Sequence, residues 1–169
     1  MSATSTRLGG RCLKLGDDVN TDEIIPGRYL RTIDPAELAP HALEPLGEDV
    51  QRRLRESRVL VAGRNFGGGS AREQAATCLI GAGVQAVVAV SFARTFFRNS
   101  INTALVAVEC PAAVAAVEDG DELFVDAEAG TVEAGGRRFP FPPYPPELRR
   151  ILDAGGLIPS LAQDLREGA

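Results

Sequence analysis

Three apolar runs, at 59–62, 84–90 (where only Gln85 is polar) and 104–108, alternate with two stretches of helical character at 71–80 and 92–101. This pattern constrains the fold more than any other feature. A strand that is apolar at every position must be buried on both faces. Strands of that kind, separated by helices, predict a parallel sheet covered by helices.

The flanks are less regular. Residues 11–15 alternate polar and apolar and predict a strand, and 16–20 is a turn rich in Gly, Asp and Asn. Ile24-Ile25-Pro26-Gly27 ends a short apolar piece in a loop. Asp34-Pro35 predicts a helix start, with the helix running to about Leu43. A charged helix follows near 48–56. Beyond Pro111, residues 114–117 suggest a helical turn, and 123–125 with 131–132 suggest a hairpin. Residues 139–143 are a proline-stiffened connector. A last helix at 146–153 stops at Gly155-Gly156, and 161–169 is expected to be a frayed polar end.

Composition narrows the function classes. The chain has 169 residues, of which 44% are hydrophobic and 24% charged, and a net charge of −5. That suits one globular domain with a real core. No apolar run approaches the ~20 residues that span a bilayer. Residues 1–11 lack the apolar stretch of a secretory signal. Lys14 is the only lysine and the pI is near 5.0, which argues against a basic nucleic-acid-binding surface. Cys12, Cys78 and Cys110 are odd in number and far apart, each in an apolar stretch. They read as buried thiols in a reducing cytoplasm, not as a disulfide or zinc framework. His41 is the only histidine, so any histidine-based metal site or triad depends on it. Its proline-flanked setting places it at the surface.

Chemistry concentrates in Gly63-Arg64-Asn65-Phe66-Gly67-Gly68-Gly69-Ser70-Ala71-Arg72-Glu73-Gln74, which joins a buried strand to a helix. Glycines permit positive φ and close approach to a ligand. A helix start supplies free N–H groups that favour anions, and Arg72 adds a planar fork for a carboxylate or phosphate. A plainer alternative is that Ser70 and Glu73 form a capping box. A P-loop is excluded because no Gly-Lys-Ser/Thr follows. A nicotinamide-binding fold lacks its acidic ribose residue, since the 84–90 strand ends in Ser91.

Four segments occur in order: Asp18-Val19-Asn20-Thr21-Asp22-Glu23-Ile24-Ile25-Pro26, the 65–74 loop, Ser91-Phe92-Ala93-Arg94-Thr95-Phe96-Phe97-Arg98-Asn99, and Ile151-Leu152-Asp153-Ala154-Gly155-Gly156-Leu157-Ile158. Together they closely resemble the small subunits of isopropylmalate isomerase and homoaconitase, the swivel domain of the aconitase superfamily. The resemblance covers about 11–158. It implies an α/β fold, a swivel-type three-layer β/β/α domain with a small, mostly parallel sheet. One such domain would span 1–169. The implied function is the small subunit of a two-subunit hydro-lyase, most simply 3-isopropylmalate dehydratase of leucine biosynthesis. Homoaconitase, or an isomerase of another substituted malate, is the alternative. A non-catalytic anion-binding module is the alternative from a different class. The [4Fe-4S] cluster would be bound by the large subunit and not by this chain, and the substrate would be a di- or tricarboxylate.

Carried onto this sequence, the resemblance implies Ser70 as the catalytic base and Arg72 as the grip on a substrate carboxylate. Arg31, in Tyr29-Leu30-Arg31-Thr32, would face the substrate's distal group, unless it is simply a surface arginine. Gly69 and Ala71 would flank the base and touch substrate. Asp22, Thr21 and Arg94 would support the site from behind. The family usually has Cys at Gly68 and a second Ser at Ala71, and many members have His at Gln74. Asp17, Asp18, Asp22 and Glu23 do not have calcium-loop spacing, so turn and capping roles are expected. Arg94 and Arg98 lie four apart on one helix face. Bracing the glycine loop or pairing with acids is expected of them, with an anion clamp as the alternative. Phe92, Phe96 and Phe97 are expected in the core.

Overall fold

The computed structural model describes residues 7–168. The reading of the extreme amino terminus bears on residues 1–6, which lie outside the described residues, as does Ala169.

Seven strands form one sheet: β1 (Arg7–Lys14), β2 (Val59–Ala62), β3 (Ala86–Ala89), β4 (Val106–Glu109), β5 (Glu122–Asp126), β6 (Thr131–Ala134) and β7 (Arg137–Pro140). Their spatial order is β4-β3-β2-β1-β5-β6-β7. The half from β4 to β1 is parallel, with Cys12 opposite Val59, Leu60 opposite Val87 and Val87 opposite Ala107. The half from β1 to β7 is antiparallel. The sheet is therefore mixed, which corrects the expectation of a mostly parallel one. The reason is local. The hairpin turns at 127–130 and Gly135-Gly136 are too short for a crossover, so β5, β6 and β7 can pair only antiparallel. β7 takes part of the stretch that reads as a connector, and its Pro140 is tolerated at the end of an edge strand.

Eight α-helices accompany the sheet among the described residues: α1 (Thr21–Ile24), α2 (Pro35–Leu38), α3 (Glu48–Arg55), α4 (Glu73–Gly81), α5 (Arg94–Asn102), α6 (Pro111–Ala116), α7 (Pro146–Ala154) and α8 (Leu157–Glu167). The helix begun at Pro35 is short. It passes into 3₁₀ turns at Ala39–His41 and Glu44–Leu46, where Pro40 and Pro45 lack the N–H a longer helix needs. The stretch 161–167 is helical. Leu157 and Ile158 extend its apolar pattern backward, and α8 packs on α7 and α5 with Ser160 buried.

Alternating residues of the parallel strands supply two cores. Leu13, Leu60, Ala62, Val87 and Ala89 face the helices, packing with Ile24, Leu38 and Leu79. Cys12, Val59, Val61, Val88 and Val108 face the other way, packing with Leu123, Val125, Val132 and Phe139 of the antiparallel half. The antiparallel strands thus cover the second face of the parallel ones, which gives the β/β/α layering. Each fully buried Leu or Ile contributes about 1.5–3 kcal/mol. This double burial is why the run of four apolar residues in β2 is uninterrupted.

Candidate active site

The site lies beyond the carboxyl ends of the parallel strands, where open α/β sheets hold their ligands. Three segments run side by side there. Bridges pair Asn20 with Gly68 and Phe66 with Phe92, both parallel. Gly67 N–H donates to Val19 O and Thr21 N–H to Gly68 O, each at 2.8 Å. Phe66 N–H donates to Ser91 O at 3.1 Å, and Ala93 N–H to Phe66 O at 2.9 Å. The glycine-rich loop is therefore laced into two of the other motifs of the sequence. Phe66 is fully buried, edge-on to Phe96 with ring centroids 5.0 Å apart. Gly67 has φ +82°, and a Cβ there would overlap the Phe96 ring, so no other residue fits without a shift. At Gly68 a Cβ would come within 2.9 Å of the Asn65 amide.

Helix α4 begins at Glu73. Its N-cap is Arg72, with no side-chain capping bond. Ser70 stands two residues before that cap, so the capping-box reading of Ser70 and Glu73 does not hold. The capping box belongs to Asn20 and Glu23, whose reciprocal bonds are 3.1 and 3.0 Å long. Gly69, Ser70 and Ala71 are exposed, and Ser70 has no hydrogen-bond partner among the described residues.

Arg72 is half-buried and oriented from behind. Its Nη2 lies 2.5 Å from Asp22 Oδ1, and its Nη1 donates to Ile25 O at 3.1 Å. The guanidinium has five N–H donors, so some remain for a ligand. Thr21 is buried, and its Oγ1 finds no partner. It sits 3.3 Å from where a Cβ on Gly69 would be.

Arg31 is exposed and makes no hydrogen bond or ion pair among the described residues. The backbone on either side of it is held. Gln74 Nε2 reaches Leu30 O at 3.4 Å and Thr32 O at 3.5 Å. Tyr29 hydroxyl donates to Glu44 at 3.1 Å, its ring stacks on His41 with centroids 3.6 Å apart, and His41 Nδ1 lies 2.9 Å from Glu44. Arg28 completes the group on Glu44. The Tyr29 hydroxyl, followed by His41 and Arg28, holds the Glu44 carboxyl below the usual glutamate range. His41 is thus a packing partner, not a free surface side chain. Nothing in the one-dimensional pattern links Gln74 or Glu44 to Arg31. The only hint is that Gln74 stands two residues after Arg72, just inside the helix that Arg72 precedes.

The acids 17, 18, 22 and 23 are each engaged. Asp17 accepts from Arg64 N–H at 2.7 Å, which lowers its pKa, and Asp18 accepts from the Asn65 amide at 3.1 Å. Arg94 and Arg98 are exposed, with no acid or loop partner among the described residues, contrary to the expected pairing or bracing. Phe92 and Phe97 are half-buried, while Phe96 is in the core.

The cysteines do not fit an iron–sulfur cluster. Cys78 lies in the helix-side core, Cys12 and Cys110 in the other, and all three are free and buried. Burial raises the thiol pKa of Cys12 and Cys78, which opposes the thiolate a metal needs. No group of three His, Cys, Asp or Glu side chains converges among the described residues. Cavities of about 610, 430, 380 and 200 Å³ open elsewhere, and Ser70, Arg72 and Arg31 line none of these four. Gly69, Ser70, Ala71 and Arg31 are exposed to solvent and Arg72 is half-buried. No helix among the described residues is long and apolar enough to cross a membrane.

Residues 48–113 match the aconitase C-terminal domain family. The 3-isopropylmalate dehydratase small subunit of Moorella thermoacetica is 44% identical over 159 residues, 93% of this chain and 96% of the relative. The chain belongs to this family of small subunits. The Aquifex aeolicus 3-isopropylmalate dehydratase small subunit is 47% identical, covering 88% of this chain and 90% of its own. A crystal structure of 3-isopropylmalate dehydratase (leuD) from Methanocaldococcus jannaschii superposes with a TM-score of 0.89 at 39% identity, over 96% of this chain and 98% of that one. The match across nearly full lengths identifies an aconitase-type small subunit, one part of a hydro-lyase.

Proposed function

We propose that this small subunit completes the active site of a two-subunit enzyme that isomerises 3-isopropylmalate by dehydration and rehydration. The [4Fe-4S] cluster belongs to the large subunit. This chain contributes a base, a carboxylate grip and the surface that closes over the substrate. The single observation that carries the reading is an exposed Ser70 hydroxyl, without a partner among the described residues, two residues from a pre-oriented Arg72. The names and near-complete coverage of the relatives support it.

Ser70 Oγ takes the proton from the carbon next to a substrate carboxylate, and hydroxide leaves the adjacent carbon. Readdition in the opposite sense gives the isomer. A serine hydroxyl needs its alkoxide stabilised, at about 1.4 kcal/mol for each pKa unit. One arginine near an effective dielectric of 20 supplies roughly 4 kcal/mol. The N–H groups around Gly69 and Ala71 supply further donors. Arg72 grips the carboxylate, and Asp22 and Ile25 O fix its orientation. Ala71 adds no hydroxyl, so backbone and guanidinium carry the oxyanion. Thr21 supports this region through its N–H bond to Gly68 O without touching the reacting atoms, whereas Arg94, among the described residues, makes no contact that would.

Arg31 favours a second substrate class. An exposed, unpaired guanidinium suits a distal carboxylate, as in a homocitrate-type tricarboxylate, better than an isopropyl group. The buried, reduced thiols fit a reducing cytoplasm. Reconstitution with the large subunit tests the proposal. Turnover of 3-isopropylmalate is expected, and carboxylate binding without turnover on any substituted malate overturns it in favour of an anion-binding module.

A further inference from the structure

We infer that Gln74 is a positioning residue for substrate choice: its one side-chain amide clamps the carbonyls on both sides of Arg31 and so fixes where that guanidinium meets the substrate's far end. The inference rests on the reading of Arg31 as the group facing the distal substituent.

The argument begins with what does not hold Arg31. Its side chain has no partner among the described residues, so its place is set by its backbone. That backbone hangs from three side-chain anchors. Arg72 holds Ile25 O at one end of the segment, Tyr29 is moored to Glu44 in the middle, and Gln74 holds Leu30 O and Thr32 O at the other end. A primary amide carries two hydrogens on one nitrogen and can serve two carbonyls at once. A carboxylate of the same length would instead face both carbonyls with lone pairs. At 3.4 and 3.5 Å the two bonds are long, so the clamp tunes position rather than supporting the fold. Gln74 and Arg72 are both on the segment that presents Ser70. The spacing between the reacting hydroxyl and the distal reader is therefore set within one short piece of chain.

The test uses the reconstituted two-subunit enzyme and compares 3-isopropylmalate with a homocitrate-type tricarboxylate, as substrate and as competitive inhibitor. Gln74→Met, which keeps the length and removes both donors, is expected to lower tricarboxylate preference about fivefold to tenfold, in KM or Ki rather than kcat. Gln74→His, with a single donor on the clamp, is expected to fall between, and Arg31→Ala to give a shift of similar size. The double variant is expected to add little further. Hydrogen exchange in the assembled enzyme is expected to rise in Gln74→Met at 28–33 while β2 and β3 keep their protection. Should Gln74→Met fail to assemble, Gln74→Glu carries the same comparison. If Arg31→Ala shifts preference and the Gln74 variants do not, or exchange at 28–33 is unchanged, the clamp is refuted while the Arg31 reading stands. If Arg31→Ala leaves preference unaltered, or the wild type ignores the tricarboxylate, the Arg31 reading fails and the clamp with it.

Discussion

Ser70 shows how one residue can be legible in type and ambiguous in role. A serine three residues before a glutamate fits a helix cap, and only the observed start of α4 at Glu73 removes that reading. An N-cap deletion costs about 1 kcal/mol, whereas an exposed, unbonded hydroxyl costs little. Ser70→Ala is therefore expected to leave the melting temperature of the chain unchanged while lowering kcat of the assembled enzyme by about 10²–10⁴. A parallel loss of melting temperature would return Ser70 to a structural role. Gly67 is the converse case. Gly67→Ala is expected to destabilise the chain by roughly 1–3 kcal/mol in thermal melting, because it must move the Phe96 ring and adopt a positive φ. Arg72→Lys loses the fork that reaches Asp22 and Ile25 O together. It is expected to raise KM for every substrate about tenfold or more, without the shift in preference expected of Arg31.

Among elements, legibility follows periodicity. Strands β2, β3 and β4 and helices α4 and α5 were visible because burial on both faces leaves unbroken apolar runs, though their ends moved by up to two residues. β7 and α8 were hidden. β7 is a short edge strand ending in proline, and α8 shows only part of its apolar face within the polar end. The 25–46 region was the least legible, because its 3₁₀ turns have no period and its order comes from side chains converging on Glu44. That convergence predicts an acid response. The folded pKa of Glu44 lies below its unfolded value, so its contribution is fully present above about pH 5 and is lost as pH falls through the folded value. Acidification is expected to loosen 28–46 before the sheet, as amide exchange would register, and Glu44→Gln is expected to remove that pH dependence.

The whole molecule is half of a catalyst. Ser70, the proposed base, is exposed and Arg72, the proposed carboxylate grip, is half-buried beside it, and the cysteines are dispersed through two cores. The isolated chain is expected to be colourless and inactive. Adding the large subunit is expected to restore turnover, and stoichiometric iron and sulfide on the isolated chain would contradict the division of labour. The three segments stand out in the sequence because each carries unusual residues. That they lie side by side is a consequence of the sheet. β1 has one neighbour that begins at Val59 and another that begins only at Glu122. The first of the described strands thus waits longest for its second partner. Such distant pairing slows folding, and a chain cut before Glu122 would display a bare strand edge, open to adhesion by any other unpaired strand.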